Sequence, residues 1–230
     1  WRNQMKRIVF LLVAGLWLAP WQAEAATAMA DTAHDLSASS TGAQATSETE
    51  ICKFCHTPHN ANTGESIPLW NRATQTWALS WGTGATTLLG TALTGFNAES
   101  ATAMCLTCHD GATSVGAIAN GGPIAMNAAG NVTAAGLMTG DALVDNSNMA
   151  GNHPVSIPYA GETYAGRTSS AALANGYNAA NTTYTYTSGG EGVECGSCHQ
   201  PHDEGTVGAD YPFLRTSNSG SALCTVCHNK

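Results

Sequence analysis

All eight cysteines of this chain fall in one pattern, Cys-x-x-Cys-His, written four times: Cys52-Cys55-His56, Cys105-Cys108-His109, Cys195-Cys198-His199 and Cys224-Cys227-His228. Three chemistries use cysteine pairs at this spacing. A structural zinc site wants four ligands and does not explain a histidine fixed behind every second thiol. A redox dithiol wants a thioredoxin-like βαβ context, which the sequence lacks. Covalent attachment of a porphyrin uses all three residues. The thiols add to the two vinyl groups along one edge, and the histidine is carried beneath the iron as its proximal ligand. The motifs therefore point to four covalently attached c-type haems.

Four histidines lie outside the motif: His34, His59, His153 and His202. Four haem irons have eight axial positions, and the chain has eight histidines. The matched count points to two histidines on every iron, with His34, His59, His153 and His202 as the distal ligands. Methionine is the other common distal ligand. Met29, Met104, Met126, Met138 and Met149 recur in no shared context and read as packing residues.

The chain repeats itself. "HDLS", "ICKFCHTPHN", "IPLWNR" and "AMCLTCHDG" in the first half answer to "HPVS", "VECGSCHQPHD", "YPFLRT" and "ALCTVCHNK" in the second, with Arg72 and Arg215 in matching segments. In each half one motif continues as Cys-His-x-Pro-His. His59 follows His56 by three residues across the stiff Pro58, so it cannot reach the far face of the same haem. The expectation is that His59 serves the site of Cys105 and Cys108, and His202 that of Cys224 and Cys227. His34 and His153 are then left for the sites of Cys52/Cys55 and Cys195/Cys198.

The elements that hold these residues are expected to be few. Only 10% of the 230 residues are charged and 7% aromatic, with Gly, Ala, Thr, Ser and Asn making much of the rest. The fold class expected is mostly irregular coil with short α-helices at the haem motifs and few short strands, a multihaem cytochrome c fold organised around four closely packed haems. Ser47-x-x-Glu50 and Ser188-x-x-Glu191 have the form of capping boxes ahead of two motifs, and "TTYTYTS" from Thr182 alternates as a strand does. Trp70, Trp77 and Trp81 are read as packing on porphyrin faces, and the sequons at Asn131 and Asn181 as coincidence. A compact chain of about 205 residues has a radius of gyration of roughly 17 Å, so four macrocycles within it must lie close together.

Residues 1–4 read as an over-extended frame and 5–25 as a cleaved export signal, with a basic start, an apolar stretch from Ile8 to Leu18 and Ala23-Glu24-Ala25. Residues 26–111 form the first haem-pair half and 153–230 the second. Residues 112–152, without aromatic, Lys or Arg, read as a linker or loosely wrapped loop. The apolar stretch is too short to span a membrane, and the expectation is an exported protein without an anchor. A net charge of −8 argues against nucleic acid or an anionic membrane surface as partner.

The doubled motifs "HDLS…ICKFCHTPHN" and "NHPVS…CGSCHQPHD" resemble multihaem cytochromes, and the count, length and missing anchor are similar to extracellular cytochrome nanowire subunits of the OmcE type. The resemblance implies subunits stacked head to tail as a homopolymer, haems in a continuous chain, and an axial histidine donated across the interface. His34, on the N-terminal arm, is the residue expected in that role. It further implies electron exchange with upstream periplasmic or outer-membrane cytochromes and extracellular acceptors. Bis-histidine iron leaves no open position for a substrate, so catalytic residues are expected to be none, the protein is not expected to be an enzyme, and potentials should be low. The alternatives are a soluble periplasmic tetrahaem shuttle and, third, an electron-transfer subunit of a haem reductase.

Overall fold

The structure is a computed structural model. It describes residues 29–63, 68–73, 75, 77, 87–88, 91–92, 101–144, 149, 152–155, 157–158, 184–185, 191–202, 213–215 and 218–228. The expected export signal and Trp81 lie outside the described residues.

Regular structure is sparse and concentrated at the motifs. A 3₁₀ turn at Ile51–Phe54 carries Cys52, helix α1 (Ala101–His109) carries Cys105 and Cys108, α2 (Cys195–Cys198) the third pair and α3 (Ala222–Cys227) the fourth. Two more 3₁₀ turns lie at Gly140–Ala142 and Ser219–Ser221. Strands β1 (Thr87–Leu88) and β2 (Thr91–Ala92) pair antiparallel. A three-stranded ladder has the order β3–β5–β4, from Ile157–Pro158, Glu191–Val193 and Tyr184–Thr185. Pro158 cannot donate to a ladder, and it sits on the edge strand. The strand expected from Thr182 is present at Tyr184–Thr185.

The capping box expected at Ser47 is displaced, and Ser188 of the other lies outside the described residues. The turn before Cys52 begins at Glu50, whose side chain makes no capping bond, so Ser47 lies too far upstream. Ahead of α2, Glu191 is drawn into β5, and the cap shifts to Glu194. The Glu194 N–H donates to Ser197 Oγ at 2.9 Å, so the motif's own serine supplies the acceptor.

The side-chain core is small. Leu36, Ala45, Phe54, Val115, Met126 and Val132 form one cluster, and Trp70, Ala103 and Met104 a second; Cys55 packs against both. Met104, Met126 and Met149 are buried, as packing residues should be.

The segment read as a linker or loosely wrapped loop contributes to this core. Val115, Ile118, Met126 and Val132 come from it, all buried. Its backbone runs beside residues 44–46, with Thr46 N donating to Ala125 O and Asn127 N to Gln44 O, both at 2.9 Å. Spacing of single apolar residues among Gly, Ala and Asn hides a wrapped segment from any periodicity test. Described residues 112–144 therefore pack with the first half.

Candidate functional site

Each motif is one turn of helix. The carbonyl of the first cysteine accepts the N–H of the motif histidine: Cys52 from His56 at 2.8 Å, Cys195 from His199 at 3.0 Å, Cys224 from His228 at 2.9 Å. That bond sets both thiols and the ring on adjoining sides of a single turn. His199 and His228 then leave the helix in extended conformation.

The sequence repeat recurs in the backbone. His56 bridges to Trp70, and His199 to Leu214. Thr57 N donates to Leu69 O at 2.8 Å and Gln200 N to Phe213 O at 2.7 Å; Asn71 N reaches Cys55 O and Arg215 N reaches Cys198 O. Leu69 and Phe213 share a left-handed conformation, φ 60° and 61°. This register pairs Arg215 with Asn71, not with Arg72. The side chains agree: Asn71 Nδ2 donates to Lys53 O and Arg215 Nε to Gly196 O, the same place in each motif. Arg72 is extra.

Six of the eight histidines meet in three pairs. Ring centres are 6.2 Å apart for His34 and His109, 5.9 Å for His56 and His202, and 6.2 Å for His153 and His228. These ring neighbours differ from the pairing expected from the sequence. His109 faces His34 rather than His59, His56 faces His202, and His228 faces His153. His202 does leave its own motif, as Pro201 requires, but it crosses to the first half of the chain. The remaining two histidines, His59 and His199, are both exposed.

Four of these rings are oriented by main-chain carbonyls. Nδ1–H donates from His56 to Pro68 O (3.1 Å), from His109 to Ala142 O (2.7 Å), from His34 to Pro201 O (3.1 Å) and from His153 to Pro154 O (2.8 Å). A carbonyl only accepts, so each of these rings keeps its proton on Nδ1 and its lone pair on Nε2. His34 is further held by stacking on Phe213, with ring centres 4.2 Å apart. Burial drives its pKa down to about 4, and the neighbouring His109, His202 and His199 lower it further against the bond to Pro201. The ring is neutral at neutral pH, the form that binds a metal.

The attachment cysteines are neighbours in chain order. Cys55 and Cys108 pack against the same core cluster. The thiols of Cys105 and Cys195 lie close enough to shift each other's titration, Cys105 upward and Cys195 downward. Cys198 lies within electrostatic reach of Cys227 and Cys224. Between the second and third sites, Thr102 Oγ1 donates to Glu194 Oε2 at 2.5 Å and accepts from Cys195 N at 3.1 Å. Burial pushes the Cys55 thiol up to about 12 and Cys198 to about 11. Cys195, beside Cys105 and Thr102, is instead lowered.

The residues fit a haem. Two imidazoles on opposite faces of one metal, with metal–nitrogen bonds of about 2 Å, hold their ring centres about 6 Å apart. All three observed pairs have that separation, and four of the six rings carry an orienting bond on the far nitrogen. Trp70 meets the His56 ring edge-on at 5.9 Å, while the Trp77 indole N–H is taken up by Asp110. The sequence reading missed Phe213, Glu194 and Thr102. Phe213 had a signal, its match to Leu69 in the repeat; the other two act through contacts more than ninety residues away, which no local pattern carries.

Residues 188–230 match the family described as the doubled CXXCH motif. No curated protein matches the chain. The motifs indicate covalently bound c-type haem, and the match supports a multihaem c-type cytochrome of the electron-transfer kind.

Proposed function

We propose that the chain carries four bis-histidine haems and works as the electron-transfer subunit of an exported, extracellular filament. The observation that carries the electron-transfer reading is the set of three imidazole pairs at iron-bridging separation. Haem iron, when bound, supplies a reversible one-electron couple. The chain's contribution is to attach it through Cys52, Cys55, Cys105, Cys108, Cys195, Cys198, Cys224 and Cys227, and to close both faces with imidazole. His56 with His202, His109 with His34, and His228 with His153 would hold three irons. His199 would hold the fourth, with His59 of a neighbouring subunit on its other face. With both faces closed, no position is left for a substrate, which argues against catalysis at the metal. The cysteine neighbours Cys55/Cys108, Cys105/Cys195 and Cys198/Cys227 order the four sites in a row, as long-range transfer requires.

The filament reading rests on resemblance together with the exposure of His59. His34 already faces His109 of its own chain, so His59 is the residue offered to a neighbouring subunit. A contact of that kind is heterologous and, unless it closes a ring, grows an open fibre. A surface poor in charge loses little solvation when buried there.

The test is made on purified holoprotein. Its mass should give four haems, and its electron paramagnetic resonance spectrum low-spin ferric iron alone. High-spin iron, or carbon monoxide binding to fully loaded protein, overturns the bis-histidine reading. Negative-stain images should show fibres; particles of monomer mass at every dilution put the protein back among periplasmic shuttles.

A further inference from the structure

Arg72 is 1% exposed and has no counterpart in the second half, where the matching position after Arg215 is Thr216. Its guanidinium is held by main-chain carbonyls: Nη1 donates to Val115 O at 2.8 Å, and Nη2 to Thr107 O at 2.6 Å and Ser114 O at 2.7 Å. Nε has no partner. Among the described residues, no carboxylate pairs with it. Asp110, just after the motif histidine His109, is taken up by the N–H groups of Ala112 and Thr113, the Thr113 hydroxyl and the Trp77 indole.

Its position is specific. Thr107, which accepts from Nη2, precedes the attachment residue Cys108. Asn71, just before Arg72, donates its N–H to Cys55 at 2.8 Å. The cation therefore lies between the attachment residues of two neighbouring sites. Carbonyl oxygens solvate a charge but do not cancel it, and a buried charge is screened far less than one at the surface.

We propose that Arg72 is a redox-tuning residue, a fixed buried cation that raises the reduction potentials of the haems on Cys52/Cys55 and Cys105/Cys108 above those of the other two. Reduction lowers the positive charge on an iron, so a nearby cation favours the ferrous form. Arg215 lies near Cys198, and its Nε is committed to Gly196 O. The two halves of an otherwise repeated chain are thus made electrically unequal, and electrons rest preferentially on the first.

The inference rests on the four-haem reading, and the experiment separates the two. Arg72→Gln and Arg72→Lys holoproteins are checked for four haems by mass and for low-spin iron by spectrum. Each is then titrated spectroelectrochemically. Arg72→Gln is expected to move two of the four electrons to lower potential by roughly tenfold in the ferrous/ferric ratio, 59 mV for a one-electron couple, leaving the other two in place. Arg72→Lys keeps the charge, loses the forked hydrogen bonds, and should titrate as the parent while melting lower. A superimposable Arg72→Gln curve, or an equal shift of all four, overturns the proposal. So does a shift of the same size in Arg72→Lys, which would mark Arg72 as merely structural. If Arg72→Gln does not accumulate with four haems, Arg72→Met, which also removes the charge, is titrated in its place: a lowering confined to two electrons upholds the charge role and an unshifted curve ends it. A wrong haem count in the parent protein fails the functional reading, not this one.

Discussion

At the scale of single residues, the close-packed loop after α1 shows how little room the small side chains leave. A Cβ built on Gly116 would collide with the carbonyl oxygen of Ile124, a backbone atom that also belongs to a hydrogen-bonded turn: Ile124 N donates to Gly116 O at 2.8 Å. Gly116→Ala must therefore push the two backbone segments apart, at a cost of about 1–3 kcal/mol for overpacking. Gly122 gives the contrast. Nothing lies within 4 Å of its would-be Cβ, but its φ is +75°, so alanine there meets only the left-handed penalty of about 1–2 kcal/mol. Chemical denaturation of the two holoproteins should rank Gly116→Ala below Gly122→Ala, and the opposite order would mean the loop can open. Neither constraint is visible in "SVGAIANGGP", where all the glycines look alike. The motif residues were legible for the opposite reason: thioether chemistry fixes their spacing whatever the surrounding fold. His34 shows the limit of that legibility. Its ring is set by Pro201 and Phe213, residues from the far half of the chain, whereas the sequence leaves it only by elimination for the site of Cys52/Cys55 or Cys195/Cys198.

At the scale of elements, α1 and α2 meet through one carboxylate. Glu194 is 1% exposed and starts α2, while its Oε2 accepts from both the hydroxyl and the N–H of Thr102 in the first turn of α1. One acidic side chain thus serves two helix N-termini, where negative charge is favoured. Helices of nine and four residues are too short to persist unaided, so this contact and the cysteines it brings together must hold them. Thr102→Val keeps the shape and deletes the hydroxyl, leaving a buried carboxylate with one fewer donor and Cys195 N without its acceptor. The expected loss is about 1–3 kcal/mol. Thr102→Ser should restore most of it, and denaturation curves of the two variants decide the matter. If Val and Ser behave alike, the hydroxyl is incidental. Local capping patterns miss this contact. Local capping rules assume the cap comes from the adjacent chain, whereas α1 takes an acceptor from ninety-two residues away.

At the scale of the whole molecule, the sequence reads as two repeated halves, but its contacts cross between them. His56 of the first half faces His202 of the second, and His34 is packed on Phe213 and bonded to Pro201. The repeat was legible because each half keeps the same backbone bonds around its own motif; the crossing was not, because it depends on which surfaces close on each other. That distinction can be tested genetically. If His202 serves the iron held by Cys52 and Cys55, its replacement by alanine produces one high-spin haem in a four-haem protein. In a chain already carrying Cys52→Ala and Cys55→Ala, that iron is absent, and His202→Ala should add no high-spin signal at all. His34→Ala should still add one in the same background, because its counterpart His109 belongs to the second site. Electron paramagnetic resonance of the variants, normalised to haem content, reads both outcomes directly. A high-spin signal from His202→Ala that survives loss of the first site would place His202 on another iron, and with it the closure of the two halves would have to be redrawn.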